Sequence, residues 1–210
     1  MSTTTIHKTT AKIRQFGSQF RRYFVIAFVL LSSCPLPILA QDVHSHAAAA
    51  QQQTPQQKSA ASALIQIVRQ STERYKDVSA AEADGYALQF GCVTGPDSGA
   101  MGLHFVNAAL VSRGEIDASR PQIVIYEPTS NGGLQLIGAD YLVLADAWDK
   151  KNSGPPELMG QLFHYFEAPN RFGLPAFYTL HVWAWKDNPN GAFVNWHPDV
   201  SCEQYGGQNF

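Results

Sequence analysis

Gln122-Ile-Val-Ile-Tyr-Glu127, then Pro128-Thr-Ser-Asn-Gly-Gly133, then Leu134-Gln-Leu-Ile137 running on through Tyr141-Leu-Val-Leu144, is the stretch that decides the fold. Two runs rich in β-branched and aromatic residues flank a turn of proline, asparagine and glycine. That combination predicts an antiparallel hairpin. Toward the N-terminus the same pattern recurs in shorter form. Ala87 to Val93 reads as a strand, Thr94 to Ala100 as a loop, and Met101-Gly-Leu-His-Phe-Val106 as a second strand. Toward the C-terminus, Tyr178-Thr-Leu-His-Val-Trp-Ala-Trp185 alternates, with Thr179, His181, Trp183 and Trp185 on one face, before Asn188-Pro-Asn-Gly191 turns the chain.

Helices are expected beside these strands. Leu64, Ile67, Val68, Ser71, Tyr75 and Val78 recur at helical spacing and predict a helix from about Ala60 to Lys76. Ser79 and Glu82 have capping-box spacing for a short second helix that Gly85 would stop. Pro155-Pro156 opens a further expected helix through Glu167, with Leu158, Met159, Leu162, Phe163 and Phe166 as its buried stripe and His164 on the exposed side. Strands in runs, with helices at the start and in one long connection, imply an α+β domain: a mainly antiparallel sheet with two or three packed helices. A small closed barrel is the alternative architecture.

Three of these motifs each offer one potential metal ligand: His104, Glu127 and His181. Two imidazoles and a carboxylate from separate strands suit zinc, copper or iron with an open coordination position. Gly102 shares a face with His104 and leaves room there for a ligand or a close-packed neighbour. Trp183 and Trp185, on the His181 face, are candidate walls of a ligand pocket. Each residue also has a plainer reading: a packed imidazole, a solvated strand terminus at Glu127, core tryptophans. The competing class is therefore a non-catalytic module that binds a small ligand or is simply structural, stabilised by one disulfide. No phosphate loop, Gly-x-Ser-x-Gly elbow or Cys-x-x-Cys pair occurs, so no motif names a reaction.

Met101 to Phe105, Ile125 to Pro128 and Leu180 to Gly191, closing with Asp199-Val-Ser-Cys202, resemble a family of small exported bacterial proteins of uncharacterised function. The resemblance spans about Tyr75 to Cys202. It implies one coherent exported domain and carries no activity with it.

The start of the chain points the same way. Lys8, Lys12, Arg14, Arg21 and Arg22 precede the apolar run Tyr23 to Leu31 with no acidic residue among them, the pattern of a signal peptide over residues 1–40 with cleavage after Ala40. Lipidation at Cys34, and twin-arginine export through Arg21-Arg22, are the alternatives. Residues 41–58, rich in Gln and Ala, read as a disordered linker, with His44 and His46 a copper-type motif only if cleavage falls after Gln41. Residues 59–210 make one domain.

Without the leader, the 15 basic residues fall to 10 against 17 acidic, a net charge of −7. That excludes nucleic acid as a partner class and leaves a small molecule or metal ion. The apolar run is too short to span a bilayer, so the expected location is the periplasm or the exterior. There Cys92 and Cys202, the only cysteines beyond Cys34, are expected to pair.

Overall fold

The computed structural model describes residues 53–210; the expected signal peptide, Cys34 and the His44/His46 segment lie outside them. Helix α1 spans Pro55–Thr72 and starts earlier than the apolar pattern indicates. Thr54 caps it by accepting from the Gln57 amide, while the Gln57 side chain accepts from the Thr54 amide. This reciprocal cap places residues 55–58, expected in the linker, inside the helix. A 3₁₀ turn, Glu73–Lys76, leads to helix α2 (Val78–Ala83). Its cap is Asp77, which accepts from the amide and hydroxyl of Ser79, so the expected Ser79–Glu82 box does not form.

The sheet has six strands: β1 (Ala87–Gly95), β2 (Gly99–Val106), β3 (Ile123–Pro128), β4 (Leu134–Leu144), β7 (His164–Phe166) and β8 (Phe177–Val182). They run antiparallel in the order β1-β2-β3-β4-β8-β7 and curl into a half-barrel. The α+β fold with a mainly antiparallel sheet is thus observed, and the hairpin at 122–144 forms its centre. Closure into a barrel is not, because β1 and β7 are separate edges. The 202–210 segment covers the β1 edge instead: the Phe210 amide donates to the Cys92 carbonyl, and the Thr94 amide to the Phe210 carbonyl, both at 2.8 Å. The Cys92–Cys202 disulfide, with Cα atoms 5.7 Å apart, anchors that segment.

Two further short helices, α3 (Ala108–Arg113) and α4 (Ala145–Asp149), cap strand ends. The helix expected over 155–167 is absent. Two-residue strands β5 (Glu157–Leu158) and β6 (Gln161–Leu162) form a hairpin there, and β7 follows. Met159 (φ 50°) and Gly160 (φ 81°) are both left-handed, the backbone of a two-residue hairpin turn, which no helix can contain. Phe163 is buried and Leu162 exposed, so the spacing that suits a helical stripe is realised as alternation.

The two faces of the sheet bury different things. Leu64 and Val68 of α1 pack on Ala139, Tyr141, Leu180 and Val182. The opposite face carries His104, Ile123, Asp140, Leu142, Phe177, Thr179 and His181, as the strand register requires.

Candidate metal centre

His104 stands on β2 and His181 on β8, with β3 and β4 between them. On a flat sheet three strand spacings of about 4.8 Å would separate their backbones. The curl brings the rings together on the concave face, with Nε2 of each 3.3 Å from the other and ring centroids 5.6 Å apart. Gly102 shapes the local path of β2. Its φ of +87° is left-handed, and a Cβ there would lie 2.6 Å from the Tyr126 carbonyl oxygen. Of the two reasons for a glycine beside His104, close backbone packing is the one realised. The turn also sets the Gly102 carbonyl 3.2 Å from Nδ1 of His104.

The carboxylate at this site is Asp140 of β4, in register with His181. Its Oδ1 accepts from the Thr179 hydroxyl at 2.6 Å and lies 3.7 Å from Nδ1 of His181. At that distance, beside a neutral ring, the contact is neither a hydrogen bond nor an ion pair. His104, Asp140 and His181 each present one ligand atom, all within 4.8 Å of one another, and all three residues are buried. The group could hold a metal ion.

Glu127 does not belong to this group. Its Oε2 accepts from Lys186 at 2.6 Å and its Oε1 from the Ser201 amide at 3.1 Å, so it fastens the closing loop. The tryptophans also part company. Trp183 stays beside His181, with ring centroids 5.9 Å apart. Trp185 is on the helix side, where its Nε1 donates to Thr72 and Lys76 lies over its ring. The alternation that put them together ends with β8 at Val182, where the amides of Trp185 and Lys186 both turn to the Ile137 carbonyl.

Electrostatics keep the two rings neutral. Burial, then the neighbouring His181, lowers the pKa of His104 to about 4; burial likewise lowers that of His181 to about 3, against the pull of the Asn195 side chain. Burial raises the pKa of Asp140 to about 6, with the Thr179 hydrogen bond opposing it. Near pH 7 the set is two neutral imidazoles and a carboxylate, the protonation states a metal requires.

The tautomers cannot all be satisfied. Since a carbonyl only accepts, the contact with Gly102 places the His104 proton on Nδ1 and leaves its Nε2 a bare lone pair. Around His181, the Nδ1 side faces the Asp140 oxygen, and both Nδ1 and Oδ1 of Asn195 are buried without partners. With its proton on Nδ1, His181 gains no hydrogen bond, since Asp140 is 3.7 Å away, and leaves the second Nε2 bare as well. Two lone pairs then face one another at 3.3 Å. Moving the His181 proton to Nε2 makes that contact a hydrogen bond onto Nε2 of His104 and leaves Nδ1 of His181 as the one ring nitrogen without a partner.

Over the three residues lies a hollow walled mainly by Phe90, Leu142, Phe166, Phe172, Leu174 and Phe177. With its open mouth it measures about 380 Å³. Sequence reasoning finds the two histidines and misses both Asp140 and this phenylalanine wall. A signal for Asp140 exists: it is the lone charge within Leu136-Ile-Gly-Ala-Asp-Tyr-Leu-Val-Leu144, and a carboxylate in so apolar a strand is buried on one face or the other. Comparison with protein-family models, with characterised proteins and with solved structures finds no match, so the site rests on the residues of this chain.

Proposed function

We propose that this chain is an exported metal-binding domain that holds one transition-metal ion between His104 and His181, with Asp140 as the attendant carboxylate. The observation that carries the reading is the pair of Nε2 atoms at 3.3 Å beside a buried carboxylate, with Nδ1 of His181 unpartnered in either tautomer. A cation held by both Nε2 atoms would leave each ring its proton on Nδ1, toward the Gly102 carbonyl and Asp140. An ion about 2.0–2.2 Å from each nitrogen sets neighbouring ligands roughly 3.3–3.6 Å apart, so the pair is already at ligand spacing. Asp140 can close in as a third ligand or orient His181 through Nδ1, the usual service of a carboxylate behind a metal-bound imidazole. Nitrogen and oxygen donors with no thiolate suit zinc, copper or iron. The buried Cys92–Cys202 bond fits the oxidising compartment that the leader implies.

Metal analysis and titration calorimetry on the purified chain test this. One ion per chain is expected, lost in His181→Ala and in His104→Ala. Full-affinity binding by both variants would remove the proposal. A second reading, a metal-free module for a small apolar ligand, is favoured by the phenylalanine-lined hollow, and a metal-free wild-type protein would leave it as the better account.

A further inference from the structure

Beside the three candidate ligands stands a buried hydroxyl that none of them can do without. Asp140 on β4 is opposite His181 on β8, and Thr179, two residues before His181, lies on the same face of that strand. The Thr179 hydroxyl donates to Oδ1 of Asp140 at 2.6 Å, and Thr179 and Asp140 are each 2 % exposed. A donor that close to a charged oxygen makes a short, strong bond, here out of reach of water. Both strands are interior to the sheet, β4 between β3 and β8, and β8 between β4 and β7, so pairing on either side fixes the backbone beneath the two side chains. Threonine is branched at Cβ and stiff about χ1, which leaves the hydroxyl little freedom to swing away.

The same Oδ1 lies 3.7 Å from Nδ1 of His181, and that nitrogen is buried without a partner. It needs one once Nε2 binds an ion, because a neutral imidazole that ligates through Nε2 carries its proton on Nδ1. A carboxylate free to rotate has two courses there: to turn toward the ion, or to accept the Nδ1 proton. The Thr179 bond restricts the choice, since it ties Oδ1 to β8 beside His181. Asn195 offers a rival acceptor, an Oδ1 buried and unpartnered like the ring nitrogen, but no donor holds that oxygen in place.

Resting on the metal reading above, we propose that Thr179 is a positioning residue of the centre: its hydroxyl holds the Asp140 carboxylate against Nδ1 of His181, so that the carboxylate accepts the Nδ1 proton and Nε2 is turned to the ion. Thr179 touches no ion, and Asp140 serves the ion through the ring instead of ligating it.

Zinc is the probe, with affinity read by titration calorimetry and the His181 ring by long-range nitrogen–proton NMR. Zinc-loaded wild type should carry the His181 proton on Nδ1, shifted downfield by its carboxylate acceptor. Thr179→Val removes the hydroxyl and keeps the branch; zinc affinity should fall about tenfold and the Nδ1 proton should move upfield. Thr179→Ser restores a hydroxyl and should recover both. In an Asp140→Ala background, Thr179→Val should have no further effect on affinity, because the hydroxyl acts only through the carboxylate. A hydroxyl that merely satisfies a buried carboxylate would show as lost stability with unchanged affinity and an unmoved Nδ1 proton, and that result overturns the proposal. Equal loss of affinity in Thr179→Val and Thr179→Ser, or a full Thr179→Val effect without Asp140, overturns it as well. Zinc held by wild type through Nδ1 of His181 overturns the positioning role alone, a measurement that needs no variant to fold. Absence of zinc binding by wild type overturns the metal reading and this role with it.

Discussion

His197 and the His104–His181 pair are buried alike, and only one of them is at rest. His197 is fully buried, its Nε2 3.1 Å from the Asp187 carbonyl and its Nδ1 accepting from the Asp199 amide at 3.1 Å. One tautomer satisfies both nitrogens, and the ring serves as a fastener for the 187–199 loop. The paired histidines have no such tautomer. A buried imidazole is therefore weak evidence for a site, and an imidazole with a nitrogen that neither tautomer satisfies is stronger evidence.

The contrast can be broken most forcefully at the disulfide. Replacing Cys92 and Cys202 by serine should cost up to about 4.7 kcal/mol of stability, the chain-entropy limit for so long a loop, read as a shift in the urea midpoint under native redox conditions. The loss should fall on the covering segments and leave ion binding by the strand-borne histidines intact at low temperature. His197→Ala comes next. Stranding the Asp199 amide and the Asp187 carbonyl should destabilise the fold by about 3 kcal/mol, with one ion still bound per chain. Loss of the ion in that variant, with the fold retained, would erase the distinction between the two regions.

His181→Ala should do the reverse. Ion affinity should fall at least about 100-fold, roughly 2.8 kcal/mol, while the metal-free protein loses less stability than in His197→Ala, because removing this ring strands no backbone amide or carbonyl. A milder effect of the same kind, about 10–100-fold in affinity, is expected of Asp140→Asn.

The smallest effect is in the pH dependence of the metal-free protein. His104 and His181 have folded pKa values of about 4 and 3, below the ~6.5 of an unfolded histidine. Between about pH 4 and 6 the unfolded chain therefore takes up two protons that the folded chain refuses, and stability falls as the pH falls. Asp140, raised to about 6, works the other way: it is protonated in the folded chain before the unfolded one, and its contribution is lost as the pH rises through that window. The net is about one proton, so stability should decline by roughly 1 kcal/mol per pH unit on acidification. In His104→Gln/His181→Gln the sign of these terms should invert, with Asp140 left alone. Denaturation curves at pH 4.5, 5.5 and 7 read the slope directly.

Much of this molecule is legible in its sequence where the local signal and the tertiary outcome agree. The turn at Pro128–Gly133 and the flanking β-branched runs specify the central hairpin, and strand alternation assigns His104 and His181 to the strand faces that the curl of the sheet then brings together. Legibility ends where two periods fit the same residues. Leu158, Met159, Leu162, Phe163 and Phe166 suit a helix as well as two short strands, and the left-handed pair Met159–Gly160 decides for the strands. It ends again where a strand stops early, since Trp185 would share a face with His181 only if β8 continued beyond Val182. Glu127 and Asp140 exchange roles for a related reason. Which of two acidic residues turns inward depends on the curl of the sheet and on where Lys186 lands, and both are set by contacts distant in sequence.

The rings around the hollow depend on a segment that the strands do not hold by themselves. Phe210 stacks on Phe172 and leans on Phe90, and the stretch that carries it is tied to β1 by the Cys92–Cys202 bond. A bond between residues 110 apart in sequence thus reaches the rim of the hollow: with Cys92 and Cys202 joined, the last ring of the chain is held where it meets Phe90 and Phe172, so a change in thiol oxidation state would alter the surroundings of the histidines without touching a histidine.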